Sequence, residues 1–549
     1  MKCRKYIFCL ATVLIFNTEI FAQESDSEQE QIALPEVTTV ISTSKLSVEP
    51  DALPDFENVV EIEKGSGDIQ PVLPEESSEE QSIAALLAGN NEQSIYAEGK
   101  VGGGYPNLFY GDFSVYRLNG DSPFKINFTH RNSAGYSRQA LTDSYYNNFT
   151  QMDVEKSFAF KNLDFNFGVN YKTNSDGLQK KSDSISDTNQ YVLSADGNVV
   201  WKLPKGFLLG MNLETEDYNR YAHVVSDSES VADFVKGIQT LEIETAPFAQ
   251  WSGYGVCVQF TPEYRMISDL NKNLTNGNLF NNRGQFNLSF SWNNDYVKIN
   301  TDVAAVVGNY LNSNPVIVPF TIGVDGSIPF NKSNRNITIS AQGGLDSYMN
   351  NPSVLEQKYK FTGFSVLPSE SSDWYGKFNL ELPFKTTVSS KFGLEYRQTA
   401  LNNGSWVPLY NSDEGLTSGI YGFEKKNTKY LTSNLEASYL YKILSVSAQW
   451  HSNWIDIPCL ETAQMINFDV VLQNSASTWN GSLHLGIFLD DEFILPLINL
   501  SGFVNVTPSV RLVASVNDII NILGGEARTY AGQYISEGGS AALLVKFNF

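Results

Sequence analysis

The sequence predicts an all-β protein: a transmembrane, antiparallel, up-and-down β-barrel of about 22 strands, preceded by a disordered acidic N-terminal tail. Three observations predict this fold class. Segments in which apolar and polar residues alternate follow one another from residue 95 to the C-terminus. The polar connections between these segments are alternately short and long. The chain also begins with the features of a secretory signal peptide.

The clearest alternating segment is residues 163–172, in which the odd positions are apolar or aromatic and the even positions are polar or glycine. Successive side chains of a strand point to opposite faces, so this segment has one apolar and one polar face. Charged residues and amides in mid-strand do not suit a soluble sandwich core, but they are expected where one face lines a polar lumen and the other meets lipid. The same pattern recurs at 285–292, 377–382, 391–397 and 444–451.

The connections provide an independent test. Alternation of tight turns with long polar loops is typical of barrels with short periplasmic turns and longer extracellular loops, and it places both ends of the barrel in the periplasm. A merged pair of strands would give a count of about 20, and the least regular segments are 318–328, 466–473 and 480–489. Short links lie near 119–121, 161–162, 203–206, 252–255, 293–295, 383–386 and 441–442; long links cover 132–148, 173–189, 218–238, 267–282, 345–371, 400–427 and 518–539.

The last ten residues, 540–549, are predicted to form the closing strand, paired with the segment that begins at Ile95. Lys546 and Asn548 lie on the lumen-facing phase of this strand, and Leu544 is an apolar exception on the same phase. The apolar face carries Ala541, Leu543, Val545, Phe547 and Phe549.

Residues 1–22 are predicted to be a cleaved signal peptide. Basic residues precede an apolar run at 7–16, and Ile20-Phe21-Ala22 offers a cleavage site. The apolar run is too short for an uncleaved anchor helix. We therefore expect export to the cell outer membrane. Cleavage leaves Cys257 and Cys459, which are far apart in sequence and do not indicate a disulfide framework.

Residues 23–93 are predicted to be a periplasmic tail, and residues 94–549 the barrel. The tail is rich in acids and has only Lys45 and Lys64 as bases, with prolines at 35, 50, 54, 71 and 74. Such a segment buries too little apolar surface to offset the entropy lost on ordering.

Overall composition narrows the function classes. The formal net charge of -23 argues against nucleic acid as a partner, because phosphate binding needs a basic surface. The mean hydropathy of -0.22 is too low for a helical membrane protein. Aromatic residues make up 13%, which suits the girdles that barrels present to membrane lipid.

Several stretches resemble parts of TonB-dependent receptors. Residues 510–549 resemble the end of their barrels: Asp518-Ile519-Ile520-Asn521 loosely matches the penultimate motif, a loop with Tyr530 and Gly538-Gly539 follows, and the closing strand ends in Phe. Residues 96–105 look like the first barrel strand. Residues 34–41 resemble the TonB box, which implies strand addition to a periplasmic TonB-like protein. The residues that match the box are Leu34, Pro35, Glu36, Val37, Thr38, Thr39 and Val40.

The terminal aromatic pair, Phe547 and Phe549, resembles the signal read by the barrel-assembly machinery. The resemblance departs from the family at the plug domain, because residues 44–93 are too few and too acidic to form it. Three alternatives follow. The pore is open, the loops and the tail obstruct it, or a plug or lipoprotein is supplied by a second chain.

No motif indicates catalysis, a cofactor or a metal site, and we expect no enzymatic activity. The four histidines (His130, His223, His451, His484) form no HExxH-like spacing. Asp112, Asp164 and Asp302 occupy lumen-facing phases and fit a solvated pore wall.

The leading functional hypothesis is transport or diffusion of solutes across the outer membrane, by a barrel similar to a TonB-dependent receptor without its plug. The alternative is a surface-exposed structural or interaction protein, an adhesin or partner-binding barrel, whose long loops bind a ligand or another envelope protein.

Overall fold

A computed structural model describes most of the predicted barrel. The predicted signal peptide, the tail with its TonB-box-like segment, and Phe549 lie outside the described residues. The described residues are 95–117, 122–136, 139, 141–224, 234–270, 280–309, 311, 316–330, 335–363, 368–385, 387–401, 403–410, 419–474, 476–490 and 494–548.

The predicted barrel is confirmed. Twenty-two strands form one antiparallel sheet in which each strand pairs with the next along the chain and the last pairs with the first. The strands are β1 (Tyr96–Tyr105), β2 (Leu108–Arg117), β3 (Phe124–Ala134), β4 (Tyr146–Ala159), β5 (Leu163–Gly177), β6 (Ile185–Leu203), β7 (Phe207–Val224), β8 (Phe234–Gly253), β9 (Val256–Asp269), β10 (Phe280–Asn293), β11 (Val297–Gly308), β12 (Phe320–Phe330), β13 (Arg335–Asn350), β14 (Ser369–Lys385), β15 (Val388–Thr399), β18 (Lys429–Tyr441), β19 (Leu444–Asn453), β20 (Gln464–Gln473), β21 (Trp479–Leu489), β22 (Leu497–Thr507), β23 (Val510–Asn517) and β26 (Ser540–Asn548).

Among the described residues, smaller elements lie in several of the long connections, including a 3-10 helix at Leu141–Asp143 after β3. Helix α1 (Pro352–Lys358) follows β13, the hairpin β16–β17 (Ser405–Pro408 and Phe423–Lys426) follows β15, and helix α2 (Ile519–Leu523) precedes the hairpin β24–β25 (Thr529–Ala531 and Tyr534–Ile535). Several barrel strands continue into the stretches predicted to be long links. For example, β7 extends to Val224 because its polar upper residues still pair with β6 and β8.

The seam between β1 and β26 closes the barrel as predicted. The pairing runs from Glu98 opposite Asn548 to Tyr105 opposite Ala541. Gly102 is needed at this seam: a Cβ there would collide with the Leu543 carbonyl oxygen and would lie 2.6 Å from Leu544 Cδ2.

The seam also accounts for the apolar Leu544. Leu543 faces outward and is 58% exposed, whereas Leu544 faces the lumen and is 1% exposed. Leu544 packs in a small cluster with Tyr110 and Val513. Gly102 pairs with both Leu544 and Tyr110, and its missing side chain leaves room for the two to meet.

The outward face carries an apolar belt. Along β10, the exposed fractions of Phe286, Leu288 and Phe290 are 52%, 53% and 43%, while the residues between them face the lumen. Exposed aromatic residues also lie near the short turns, as expected for an interfacial girdle; they include Phe160, Trp201, Phe207, Tyr254, Tyr296, Phe384, Tyr441 and Trp479. In the described part of the chain, no helix is long and apolar enough to cross a membrane.

Candidate functional site: the polar lumen and its loop cap

The inner wall is lined by polar and charged residues that largely satisfy one another. Asp164 forms an ion pair with Lys202 at 2.7 Å, and Tyr110 donates a hydrogen bond to Asp112 at 3.2 Å. Asp302 lies opposite Ser289 on the neighbouring strand. These three aspartates are therefore wall residues, as their positions in the alternating pattern predicted.

An ionic ladder runs across β8, β9 and β10. Arg265 contacts Glu244 and lies 3.3 Å from Glu242. Arg283 forms an ion pair with Glu263 at 3.1 Å. Because the side chains are largely buried between strands, these pairs are less screened by salt than surface pairs.

A second ladder lies on β13, β14 and β15. Arg397 contacts Glu395 at 2.7 Å, Asp346 at 3.3 Å and Asp373 at 3.8 Å. Lys377 also reaches Glu395, at 3.4 Å. Each ladder fixes several long side chains against the wall and so shapes the lumen.

The connection after β13 folds inward and contacts the wall formed by β6, β7 and β8. Asn351 caps α1, accepting a hydrogen bond from the Val354 backbone N–H at 2.8 Å, and donates to Glu242 at 2.7 Å. Ser353 donates to Glu216. We name residues 351–363 the latch segment.

The centre of the latch segment is Glu356, which is 1% exposed. Tyr218 donates a hydrogen bond to its carboxylate at 2.6 Å, and Arg220 lies 3.3 Å from the same oxygen. Gln190 donates to the Glu356 backbone carbonyl at 2.8 Å, and Arg220 also donates to the carbonyl of Thr362.

A second buried pair lies where β14 begins. The guanidinium of Arg283 approaches both carboxylate oxygens of Glu370, at 3.2 Å each. Ser347 also donates to Glu370, at 2.5 Å. The ladder on β8–β10 and the start of β14 are thus joined through one arginine.

Above the lumen, five long connections meet in one apolar cluster, which we name the loop cap. The rings of Phe361 and Tyr534 stack with centroids 3.7 Å apart, and those of Tyr410 and Tyr421 meet edge-on at 5.2 Å. These connections join β5–β6, β13–β14, β15–β18, β19–β20 and β23–β26, which are spread around the barrel. The core of the cap is Leu178, Phe361, Tyr410, Tyr421, Ala531 and Tyr534, with Ile185, Tyr359, Ile420, Cys459, Leu460 and Tyr530 packed against it.

Polar contacts also tie the cap together. Gln179 and the backbone of Ile535 exchange two hydrogen bonds, at 2.8 and 3.0 Å. Tyr410 donates to the carbonyl of Lys360 at 2.8 Å, and Tyr534 donates to that of Gly419. The cap is a folded unit with its own core.

Burial in the cap shifts several pKa values. It raises the pKa of Tyr410 and of Tyr359, and it raises the pKa of the Cys459 thiol to about 11. It lowers the pKa of Lys358. All these shifts favour the neutral form, as desolvation requires.

The structure describes only one of the residues predicted to dock a partner or to signal assembly. Leu34, Pro35, Glu36, Val37, Thr38, Thr39, Val40 and Phe549 lie outside the described residues. Phe547 is on the outward face of β26, 6.2 Å from the ring of Phe113. Among the described residues, no group of three or more His, Cys, Asp or Glu side chains is placed to hold a metal ion.

Sequence reasoning missed the latch segment and the loop cap, which lie in stretches read only as long polar links. One signal was available for the helix: Asn351-Pro352 combines a capping residue with proline at the first helical position. Nothing local indicated that the link would fold inward, because its partners on β6–β8 are more than 100 residues away.

Comparison with known proteins identifies the fold type. No protein-family model matches the sequence, and no curated protein matches it. Solved structures do match over the barrel. A mutant of the ferric enterobactin receptor PfeA from Pseudomonas aeruginosa has a TM-score of 0.58 at 9% identity, covering 83% of this chain and 80% of its own.

Two transporters have similar scores. The copper transporter OprC has a TM-score of 0.62 at 10% identity, covering 83% of this chain and 80% of its own. The FrpB iron transporter from Neisseria meningitidis has a TM-score of 0.60 at 10% identity, covering 85% and 83%. The chain has the fold of an outer-membrane barrel of the TonB-dependent receptor type.

Proposed function

We propose that this protein moves solutes across the outer membrane through the lumen of its barrel. The observation that carries the proposal is the closed sheet of 22 strands with an apolar outward belt and a polar, ion-paired inner wall. Such a wall is suited to water and polar solutes, and the belt to lipid. The receptors and transporters of similar fold support the same class of function and offer no support for catalysis.

The pathway is gated at its outer end. Five connections meet above the lumen in the loop cap, and the latch segment spans from β13 to the wall of β6–β8. The meeting of these connections above the lumen favours the obstructed alternative over the open pore. The inner end, bordered by short turns, is the side on which a periplasmic partner would act.

The proposal also includes export directed by the predicted signal peptide and insertion of the barrel into the outer membrane directed by Phe547 and Phe549. It further includes docking of a TonB-like protein on Leu34–Val40, in which a strand would be added to the partner. Replacing Val37 and Val40 with proline removes two backbone donors and should abolish capture of such a protein. Capture at the level of the unchanged chain would refute docking there.

The second candidate function is a surface-exposed interaction protein. The loop cap favours it, because a folded unit with its own apolar core can present a stable outer surface to a ligand or another envelope protein. On this alternative the lumen carries no solute, and removing the cap abolishes binding without creating conductance.

Planar-bilayer conductance in potassium chloride separates the two functions. The test compares the unchanged barrel with a variant in which residues 351–368 and 403–426 are replaced by short Gly-Ser linkers. Transport predicts low conductance that rises steeply when the cap is removed. A folded variant that remains silent even when residues 23–93 are also deleted would overturn the transport proposal.

The tail is tested in the same assay. Deleting residues 23–93 should raise conductance further if the tail obstructs the inner end. Equal conductance with and without the tail would show that the cap alone closes the barrel.

A further inference from the structure

We infer that the latch segment and the loop cap move as one gate, which opens where the latch segment meets the wall of β6–β8. The inference rests on the proposed transport function. On opening, the polar contacts of the latch segment with the wall break and its apolar contacts with the cap persist, and the Arg220–Glu356 pair is the clasp that holds the gate shut.

The first step is the path of the segment. It leaves the wall at the end of β13, and its side chains reach β6, β7 and β8. Four strands, β9 to β12, separate β8 from β13 around the barrel. A segment that joins these two parts of the wall passes over the part of the lumen that lies in front of β9 to β12.

The second step is the unequal chemistry of its two sides. Toward the wall it presents Asn351, Ser353 and Glu356, all in hydrogen bonds or ion pairs. Toward the cap it presents Phe361, packed on Tyr534, together with Leu355 and Tyr359, which pack near the β16–β17 hairpin.

Polar contacts can be exchanged for contacts with water, whereas separation of buried aromatic rings exposes apolar surface. The weaker boundary in a water-filled lumen is therefore the polar one. The latch segment should remain attached to the cap when it leaves the wall.

The third step is the clasp. The clasp is the ion pair between Arg220 of β7 and Glu356 of the latch segment, which are 0% and 1% exposed. The Arg283–Glu370 pair joins β10 to β14 within the wall and does not hold the latch segment. Removing one partner of a buried ion pair leaves a charge without compensation, which strongly favours the state in which that charge meets water. The clasp therefore biases the gate toward the closed state only while both partners are present.

The test replaces one arginine and measures two quantities. Arg220→Gln should shift the closed-to-open equilibrium by roughly 100-fold or more. The shift should appear as higher open probability in potassium chloride and as faster hydrogen exchange in residues 351–363. Arg511→Gln is the matched control, because Arg511 is a luminal arginine bonded to Asn505 at 2.8 Å, away from the latch segment.

A reversible disulfide between the latch segment and the wall tests the opposite change, which is to hold the gate closed. Glu216→Cys with Ser353→Cys, in a chain carrying Cys257→Ser and Cys459→Ala, places two thiols where the native side chains touch. The oxidised barrel should be silent, and reduction should restore gating.

The outcomes separate this inference from the proposed function. Faster exchange in the Arg220 variant with unchanged conductance, or oxidised barrels that conduct, would overturn the gate. If the linker variant of the previous section conducts, transport stands even when the gate fails. If exchange in residues 351–363 is unchanged by Arg220→Gln, the clasp does not hold the segment and the inference is wrong.

Discussion

Tyr534→Ala should unfold the loop cap while leaving the barrel intact. Tyr534 is 0% exposed, stacks on Phe361 at 3.7 Å and donates a hydrogen bond to the carbonyl of Gly419. Truncating a buried aromatic residue to alanine costs about 3–5 kcal/mol. This cost falls on a unit separate from the barrel ladder, so the cap rather than the sheet should open.

Hydrogen exchange measures the effect segment by segment. Protection in the cap segments should fall by roughly 100- to 4000-fold, since each 1.4 kcal/mol is about tenfold. Tyr534→Phe keeps the ring and loses only the hydrogen bond, so about 1 kcal/mol and about a fivefold change are expected. Leu523→Ala is the control, because Leu523 is 80% exposed on α2.

Two results would refute the reasoning. If Tyr534→Ala changes protection no more than Leu523→Ala does, the aromatic cluster does not stabilise the cap. If protection falls equally in the barrel strands, the cap and the sheet are one cooperative unit.

Three further predictions concern the seam, the pH dependence of the cap and assembly. Gly102→Val should impair barrel closure, because its side chain would collide with β26; loss of heat-modifiable migration on gels measures this, and normal migration would contradict it. The closed cap should weaken as pH rises above about 10, since burial raises the pKa of Tyr410 and so the closed state binds more protons than the open one. Burial lowers the pKa of Lys358, which by itself would make the closed cap more stable as pH rises. Hydrogen exchange of cap amides, corrected for the intrinsic rate, should therefore speed up between pH about 9 and about 11 if Tyr410 dominates. Slower exchange over this range would show that Lys358 dominates. Deleting Phe549 should reduce the amount of assembled barrel while secretion continues, and unchanged amounts of heat-modifiable protein would argue against an assembly signal.

The barrel could be predicted because its information is local and repeated. The alternation at residues 163–172 specifies a strand with two unlike faces, and the structure shows that strand as part of β5. The order of short and long links then leaves few topologies, and pairing each strand with the next is the simplest of them. The pairing of β1 with β26 could also be predicted from the sequence, because a closed barrel has to join its first strand to its last.

The ends of the strands were harder to predict from the sequence. Polar residues such as those at the upper end of β7 read as loop, yet they pair with neighbouring strands above the apolar belt. A pattern of apolar alternation marks only the part of a strand that meets lipid.

Sequence alone therefore determined the fold class, the approximate strand number and the polarity of each wall position, because these depend on the period of two in a strand. The tertiary structure decided which long connections fold inward, how Leu544 is accommodated on a polar wall, and how Arg220 meets Glu356. Those contacts join residues up to several hundred positions apart, and each depends on the closed circumference of the barrel. No local sequence pattern indicates contacts between residues so far apart in the chain.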